Sequence, residues 1–149
     1  MVSSSVWPGA DPADITAWTL VQAGHVTGRR FTAELAEVGL TPTQFGALLV
    51  LDLEPGLSGG EIARRIAVTP QSVSELIATL AEVGLITRDP PPGRGRRITA
   101  QLTPAGQATL RAASTAVNRV NALGLTQDES DQLNQLLRRV IRSSRPSPS

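Results

Sequence analysis

The chain has 149 residues, with 14 basic and 13 acidic side chains and a formal net charge of +1. Every basic residue is arginine, cysteine is absent and His25 is the sole histidine. This excludes disulfides, thiolate metal sites, cysteine nucleophiles and histidine-rich metal or relay sites. Length and a 40% apolar content suit one domain with a real core. No apolar run approaches the roughly 20 residues of a membrane span. The opening Met1-Val-Ser-Ser-Ser-Val-Trp-Pro-Gly-Ala lacks the charge and apolar stretch of a signal peptide, so a cytoplasmic protein is expected.

The near-neutral total hides an asymmetry. Residues 1–55 hold six acids against two arginines, residues 56–102 six arginines against four acids, and residues 103–149 six arginines against three acids. In the middle block the positive charge gathers at Arg88, Arg94, Arg96 and Arg97, with Asp89 the acid among them. Local clustering on such a chain predicts a small contact surface for an anion, not a generally adhesive cation.

Residues 1–11 read as a flexible N-terminal extension. Asp11-Pro12 supplies a cap and a first-turn proline, which predicts a first helix over 12–38. Its apolar stripe is Ala17, Val21, Gly24, Gly28, Phe31, Leu35 and Val38. Gly24 and Gly28 each cost roughly 1 kcal/mol of helix propensity. They fit close approach by another helix, including one from a second subunit, or a plain kink. Thr41-Pro-Thr-Gln44 is a capping box for a second helix through Leu53, ended by Glu54-Pro-Gly56. Ser58-Gly-Gly-Glu61 opens a short third helix to about Ile66. Thr69-Pro70 starts a fourth, with Val73, Leu76, Ile77, Leu80 and Val83 facing inward and Gly84 as its stop.

Leu85–Arg88 and Arg97–Leu102 then read as two short strands around the loop Asp89-Pro-Pro-Pro-Gly-Arg-Gly-Arg96, a β-hairpin with a basic tip. Thr103-Pro104 caps a long helix to about Asn121, and Thr126-Gln-Asp-Glu129 boxes the last one. That helix carries the stripe Leu133, Leu136, Leu137, Val140 and Ile141. Its polar face mixes Asp131 with Arg138, Arg139 and Arg142, which fits dimerisation better than a membrane surface. Residues 143–149 read as a disordered tail.

Two short helices in tandem followed by a basic hairpin describe a winged helix-turn-helix over residues 58–102. The second helix of such a pair enters the major groove, and the hairpin's arginines straddle the backbone or probe the minor groove. The predicted fold is therefore mainly α with a small β-hairpin. A winged helix-turn-helix, about 41–102, is inserted between dimerisation helices at about 12–38 and 103–142. Base contact falls to Gln71, Ser72, Ser74 and Glu75; Glu75 can accept from cytosine N4. Backbone and wing contact falls to Arg64, Arg65, Thr69, Arg88, Arg94, Arg96 and Arg97. About four neutralised phosphates per subunit give a salt slope near −0.9 × 4, or roughly −3.6. The bland alternative makes the arginines a solvated loop or helix face and the hydroxyls ordinary surface groups.

Leu40-Thr-Pro-Thr-Gln-Phe45, Glu61-Ile-Ala-Arg-Arg-Ile66, Val68-Thr-Pro-Gln-Ser-Val-Ser74, Leu80-Ala-Glu-Val-Gly-Leu-Ile86 with Arg88, and Leu102-Thr-Pro-Ala-Gly106 resemble the MarR family of bacterial transcription regulators. The resemblance covers roughly residues 12–142 and includes the order of elements. It implies an obligate homodimer with interlocked first and last helices, and a repressor on double-stranded palindromic operators. It also implies release by a small aromatic or lipophilic ligand in the cleft between dimerisation and DNA-binding parts. Trp18 and His25, two turns apart on the first helix, are candidates to line that cleft; core filling is the alternative.

Two departures stand out. The family's wing usually carries an acid two residues before its key arginine, where this chain has Arg94 before Arg96. Glu75 and Thr79 stand where relatives often place arginine or lysine. An alternative function therefore keeps the fold as a ligand- or protein-binding module with weak or lost DNA binding. An enzyme is not expected, since no nucleophile–base pair, cofactor loop or metal cluster is present. No cofactor is called for.

Overall fold

In the computed structural model, which describes Gly9, residues 11–89 and residues 98–144, side-chain caps set where most helices begin. Thr41, Ser58 and Thr126 each accept the backbone N–H three residues on, while Gln44, Glu61 and Glu129 reach back to the cap's own N–H. Each cap contributes about 1 kcal/mol. The helices are α1 (Thr16–Ala36), α2 (Pro42–Leu53), α3 (Gly59–Ile66), α4 (Pro70–Glu82), α5 (Pro104–Asn121) and α6 (Gln127–Ser143). Strands β1 (Leu57–Ser58), β2 (Ile86–Asp89) and β3 (Thr99–Leu102) form one antiparallel sheet in the order β1-β3-β2. Leu57 pairs with Ala100 across β1 and β3, and Ile86 with Leu102 across β2 and β3.

The core joins α2, α3, α4 and the sheet to the C-terminal half of α1 and to α5. Leu35, Leu48, Leu51, Ile62, Val73 and Leu80 are its largest fully buried side chains. Each buried side chain of this kind stabilises the fold by about 1.5–3 kcal/mol. Phe31 and Phe45 meet edge to face at 5.8 Å and bring α1 onto α2. Arg119 of α5 donates to Glu34 at 2.6 Å and to Glu37 at 2.8 Å, bracing α5 against one carboxylate in the last turn of α1 and one on the residue that caps it.

Three expectations need correction. The first helix does not start at residue 12. Asp11 caps a separate 3₁₀ turn, Pro12–Asp14, by accepting from the Ala13 N–H at 2.9 Å, and extended Ile15 breaks the chain before α1. Val83 does not face inward: it is 61% exposed, because α4 ends one residue earlier and the chain turns away at Gly84, φ 77°. The hairpin has a third strand, the two-residue β1. Within the described chain the α1 stripe is covered only at its end: Leu35 is buried and Phe31 and Val38 pack against the core, whereas Ala17, Val21, Gly24 and Gly28 are exposed. No atom lies within 4 Å of where a Cβ on Gly24 or Gly28 would stand, so the described chain itself supplies no close-approaching helix.

The last helix begins at its predicted box but buries no side chain. Leu133, Leu136, Val140 and Ile141 remain exposed, as do Trp18, Leu20, Val21 and Val26 on α1. The tip arginines Arg94, Arg96 and Arg97 lie outside the described residues, as do residues 145–149 of the tail and most of the N-terminal extension. No helix among the described residues is long and apolar enough to cross a membrane.

Candidate nucleic-acid interface

The turn between α3 and α4 is built on Ala67, whose backbone is left-handed at φ 57°, ψ 45°. Its N–H and that of Val68 both bond the Ala63 carbonyl, closing α3 before Thr69 opens the next helix. An alanine in this conformation costs roughly 1–2 kcal/mol. Val68, packed against the core, offsets part of that cost.

Thr69 is the cap of α4. Its hydroxyl accepts the Ser72 N–H at 3.2 Å and donates to the Ser72 hydroxyl at 2.9 Å. Ser74 donates back to the Pro70 carbonyl at 3.1 Å. Gln71 and Glu75 are exposed on the same helix, and no bond engages either side chain among the described residues. The four candidate base-contacting residues therefore share the first two turns of one helix, and its other face is held by Val73, Leu76, Ile77 and Leu80.

Arg88 is where the sheet and α4 meet. Two residues beyond buried Ile86, it lies on the α4 side of β2. With Ser74, Ile77, Gly59, Thr99 and Ala100 it lines a cavity of about 310 Å³. The structure thus brings Arg88 to the flank of α4 that carries Ser74.

Arg64 and Arg65 occupy the last turn of α3. Arg65 has a partner that sequence reasoning did not find. It donates from Nε to Glu54 Oε1 at 2.9 Å and from Nη2 to Oε2 at 2.5 Å. This fork holds the guanidinium pKa above its ordinary value, first through the hydrogen bond and then through the carboxylate's charge. Glu54 follows the end of α2, eleven residues upstream, and no local pattern links the two.

Trp18 and His25 are not brought into one pocket within the described chain. His25 lines an open groove of about 560 Å³ formed wholly by α1, with Gly28, Arg29, Thr32, Ala33 and Ala36. Trp18 stands exposed two turns earlier. The described residues hold no cluster of three metal-binding side chains.

Gly106, at the end of the Leu102–Gly106 motif, has a packing role that sequence reasoning missed. It is buried in the first turn of α5, against the Leu85 carbonyl. Beside it Thr103 donates its hydroxyl to the Gly84 carbonyl at 2.6 Å and its N–H to Leu85 O at 3.1 Å. The end of α4, the start of β2 and the start of α5 are thereby locked as one joint.

Comparison with known proteins agrees with this geometry. Residues 38–97 match the sequence profile of the MarR family. The HTH-type transcriptional repressor Rv2887 of Mycobacterium tuberculosis is 32% identical over 129 residues, covering 87% of this chain and 92% of that protein. The structure of Rv2887 in complex with salicylic acid superposes with a TM-score of 0.66 at 30% identity, over 86% of this chain and 98% of the other. A transcriptional repressor, CouR, bound to a 23-mer DNA duplex, is also similar. That match has a TM-score of 0.77 and 29% identity, covering 91% of this chain and 99% of CouR.

Proposed function

The chain belongs to the MarR family, and on that footing we propose that it is a homodimeric, sequence-specific DNA-binding transcription regulator. It acts as a repressor that leaves its operator when a small organic ligand binds. The observation that carries this is the exposed polar edge of α4, with Gln71, Ser72, Ser74 and Glu75 on a buttressed helix and Arg88 on its flank. Arg88 and the wing's Arg94, Arg96 and Arg97 serve the phosphates, with Arg64 and the capping end at Thr69 beside them. Arg65, held by Glu54, is assigned to bracing α2 against α3.

Dimerisation is supported by the two apolar faces left open, on the first half of α1 and along α6. The complexes of Rv2887 with salicylic acid and of CouR with DNA support the two binding activities. The α1 groove at His25, with Trp18 on the same helix, is the proposed part of the ligand cleft on this subunit. The absence of catalysis and a cytoplasmic setting belong to the same proposal.

Sequencing of genomic fragments captured by the full chain tests it. A small set of palindromic sites, with half-site centres about 10 bp apart, is expected; fragments recovered at random would overturn it. A second reading, a winged-helix module with weak DNA contact, is favoured by the acids Glu75 and Glu82 on α4. Arg96→Ala separates the two: affinity for a captured site falls clearly on the first reading and barely changes on the second.

A further inference from the structure

The acid on the recognition helix has a use that its position defines. At about 100° per residue, the buried face of α4 (Val73, Leu76, Ile77, Leu80) is centred almost opposite Gln71, Glu75 and Ala78. With Glu82 at the C-terminal end, those three form the crest of the helix, while Ser72 and Ser74 lie on its flanks. The flanking hydroxyls are also engaged, Ser72 with Thr69 and Ser74 with the Pro70 carbonyl. Ala78 carries no polar group, and Glu82 stands at the far end of the helix, two turns beyond Glu75 and away from the capping end. Hydrogen-bonding readout at the bottom of a groove is thus left to Gln71 and Glu75, both exposed and without a side-chain partner among the described residues.

A carboxylate can only accept. In the major groove guanine presents two acceptors at its edge and thymine one acceptor and a methyl, so both repel it. Adenine offers a donor beside the N7 acceptor, and cytosine offers N4–H₂ with no acceptor of its own on that edge. A glutamate on the crest also repels the phosphates, so its presence is tolerated only where a donor meets it. Gln71, with donor and acceptor side by side, matches adenine N6 and N7. One helical turn separates the two residues, about 6 Å of rise, against about 3.4 Å per base step.

We infer that Glu75 is the specificity-determining residue of this protein, selecting a cytosine in each half-site through its N4 amino group, with Gln71 reading an adenine about two base pairs away. This rests on the DNA-binding function proposed above and names its target chemistry.

Selection from a randomised duplex library, run in parallel on the full chain, Glu75→Gln, Glu75→Ala and Gln71→Ala, tests it. The parent is expected to fix a cytosine in each half-site, and replacing it should weaken binding by about tenfold or more. Glu75→Gln should change the fixed base to adenine. Glu75→Ala should leave that position random, keep the rest of the site, and raise affinity for unrelated duplex by removing a like charge. Gln71→Ala should free the adenine alone. A parental site without cytosine, or an unchanged site with Glu75→Ala, overturns the inference while leaving the DNA-binding function standing. A parent that enriches no sequence overturns both. Glu75 and Gln71 are exposed, so unchanged circular dichroism is expected of all three variants.

Discussion

Replacing Gly106 by alanine should weaken the joint between the DNA-binding lobe and α5. A Cβ at this position would lie 2.0 Å from the Leu85 carbonyl oxygen and 3.3 Å from Leu102 Cδ2. An ordinary carbon–oxygen contact is no shorter than about 3.3 Å, so the gap must open by roughly 1.3 Å. The obstacle is backbone, held in place by Thr103 through the Leu85 and Gly84 carbonyls, and cannot rotate aside. Overpacking costs about 1–3 kcal/mol and a lost backbone hydrogen bond about 1 kcal/mol more. Alanine's better helix propensity returns about 1 kcal/mol. The net is a loss of about 2 kcal/mol, or about 4–8 °C in Tm for a chain of this size. Urea unfolding at fixed protein concentration measures it, with an unchanged slope against denaturant. Gly60→Ala is the contrast, since only the far end of Arg64 lies near its would-be Cβ, at 3.9 Å, and it should be neutral or stabilising. A Gly106→Ala protein as stable as the parent would refute the reasoning.

Other substitutions test other links. Ala67→Gly relieves the left-handed backbone between α3 and α4, and after glycine's unfolded-state entropy is subtracted should stabilise by about 0.5 kcal/mol in urea unfolding. A loss of stability would show that the turn is not strained. Arg65→Ala should leave the salt dependence of DNA binding unchanged, because Glu54 already holds the side chain; a lost phosphate contact would flatten the slope by about 0.9 per subunit. Glu129 is held below its ordinary pKa by the Thr126 N–H and then by the Thr126 hydroxyl. Its folded pKa is depressed, so its contribution is present at neutral pH and lost as the pH falls through the lowered value. The stability difference between the parent and Glu129→Gln should therefore be largest at neutral pH and vanish in acid; a difference that grows in acid would contradict the assignment.

What was legible in the sequence was mostly local chemistry. The boxes at Thr41, Ser58 and Thr126 announce helix starts because a cap is satisfied within four residues. The core stripe of α4 is equally plain up to its last member, with Val73, Leu76, Ile77 and Leu80 buried and Val83 exposed beyond the helix end. Features set by distant partners were not legible. β1 is two residues long and exists because β3 pairs with it. The Glu54–Arg65 fork and the Arg119 brace to Glu34 and Glu37 join separate elements. Gly106 looks like a poor helix residue until Leu85 is placed against it. The N-terminal stripe of α1 was legible as apolar, and within the described chain it stays exposed. Asp11 was read as a cap, and it is one, though for a 3₁₀ turn that halts before α1.

The most direct test of the account is the salt dependence of operator affinity for the full chain. About four phosphates neutralised per subunit predict that log K falls linearly with log salt at a slope near −3.6 per subunit, so roughly −7 for a dimer on a two-fold site. A slope close to zero on the captured sequence, or equal affinity for an unrelated duplex of the same length at every salt concentration, would contradict it.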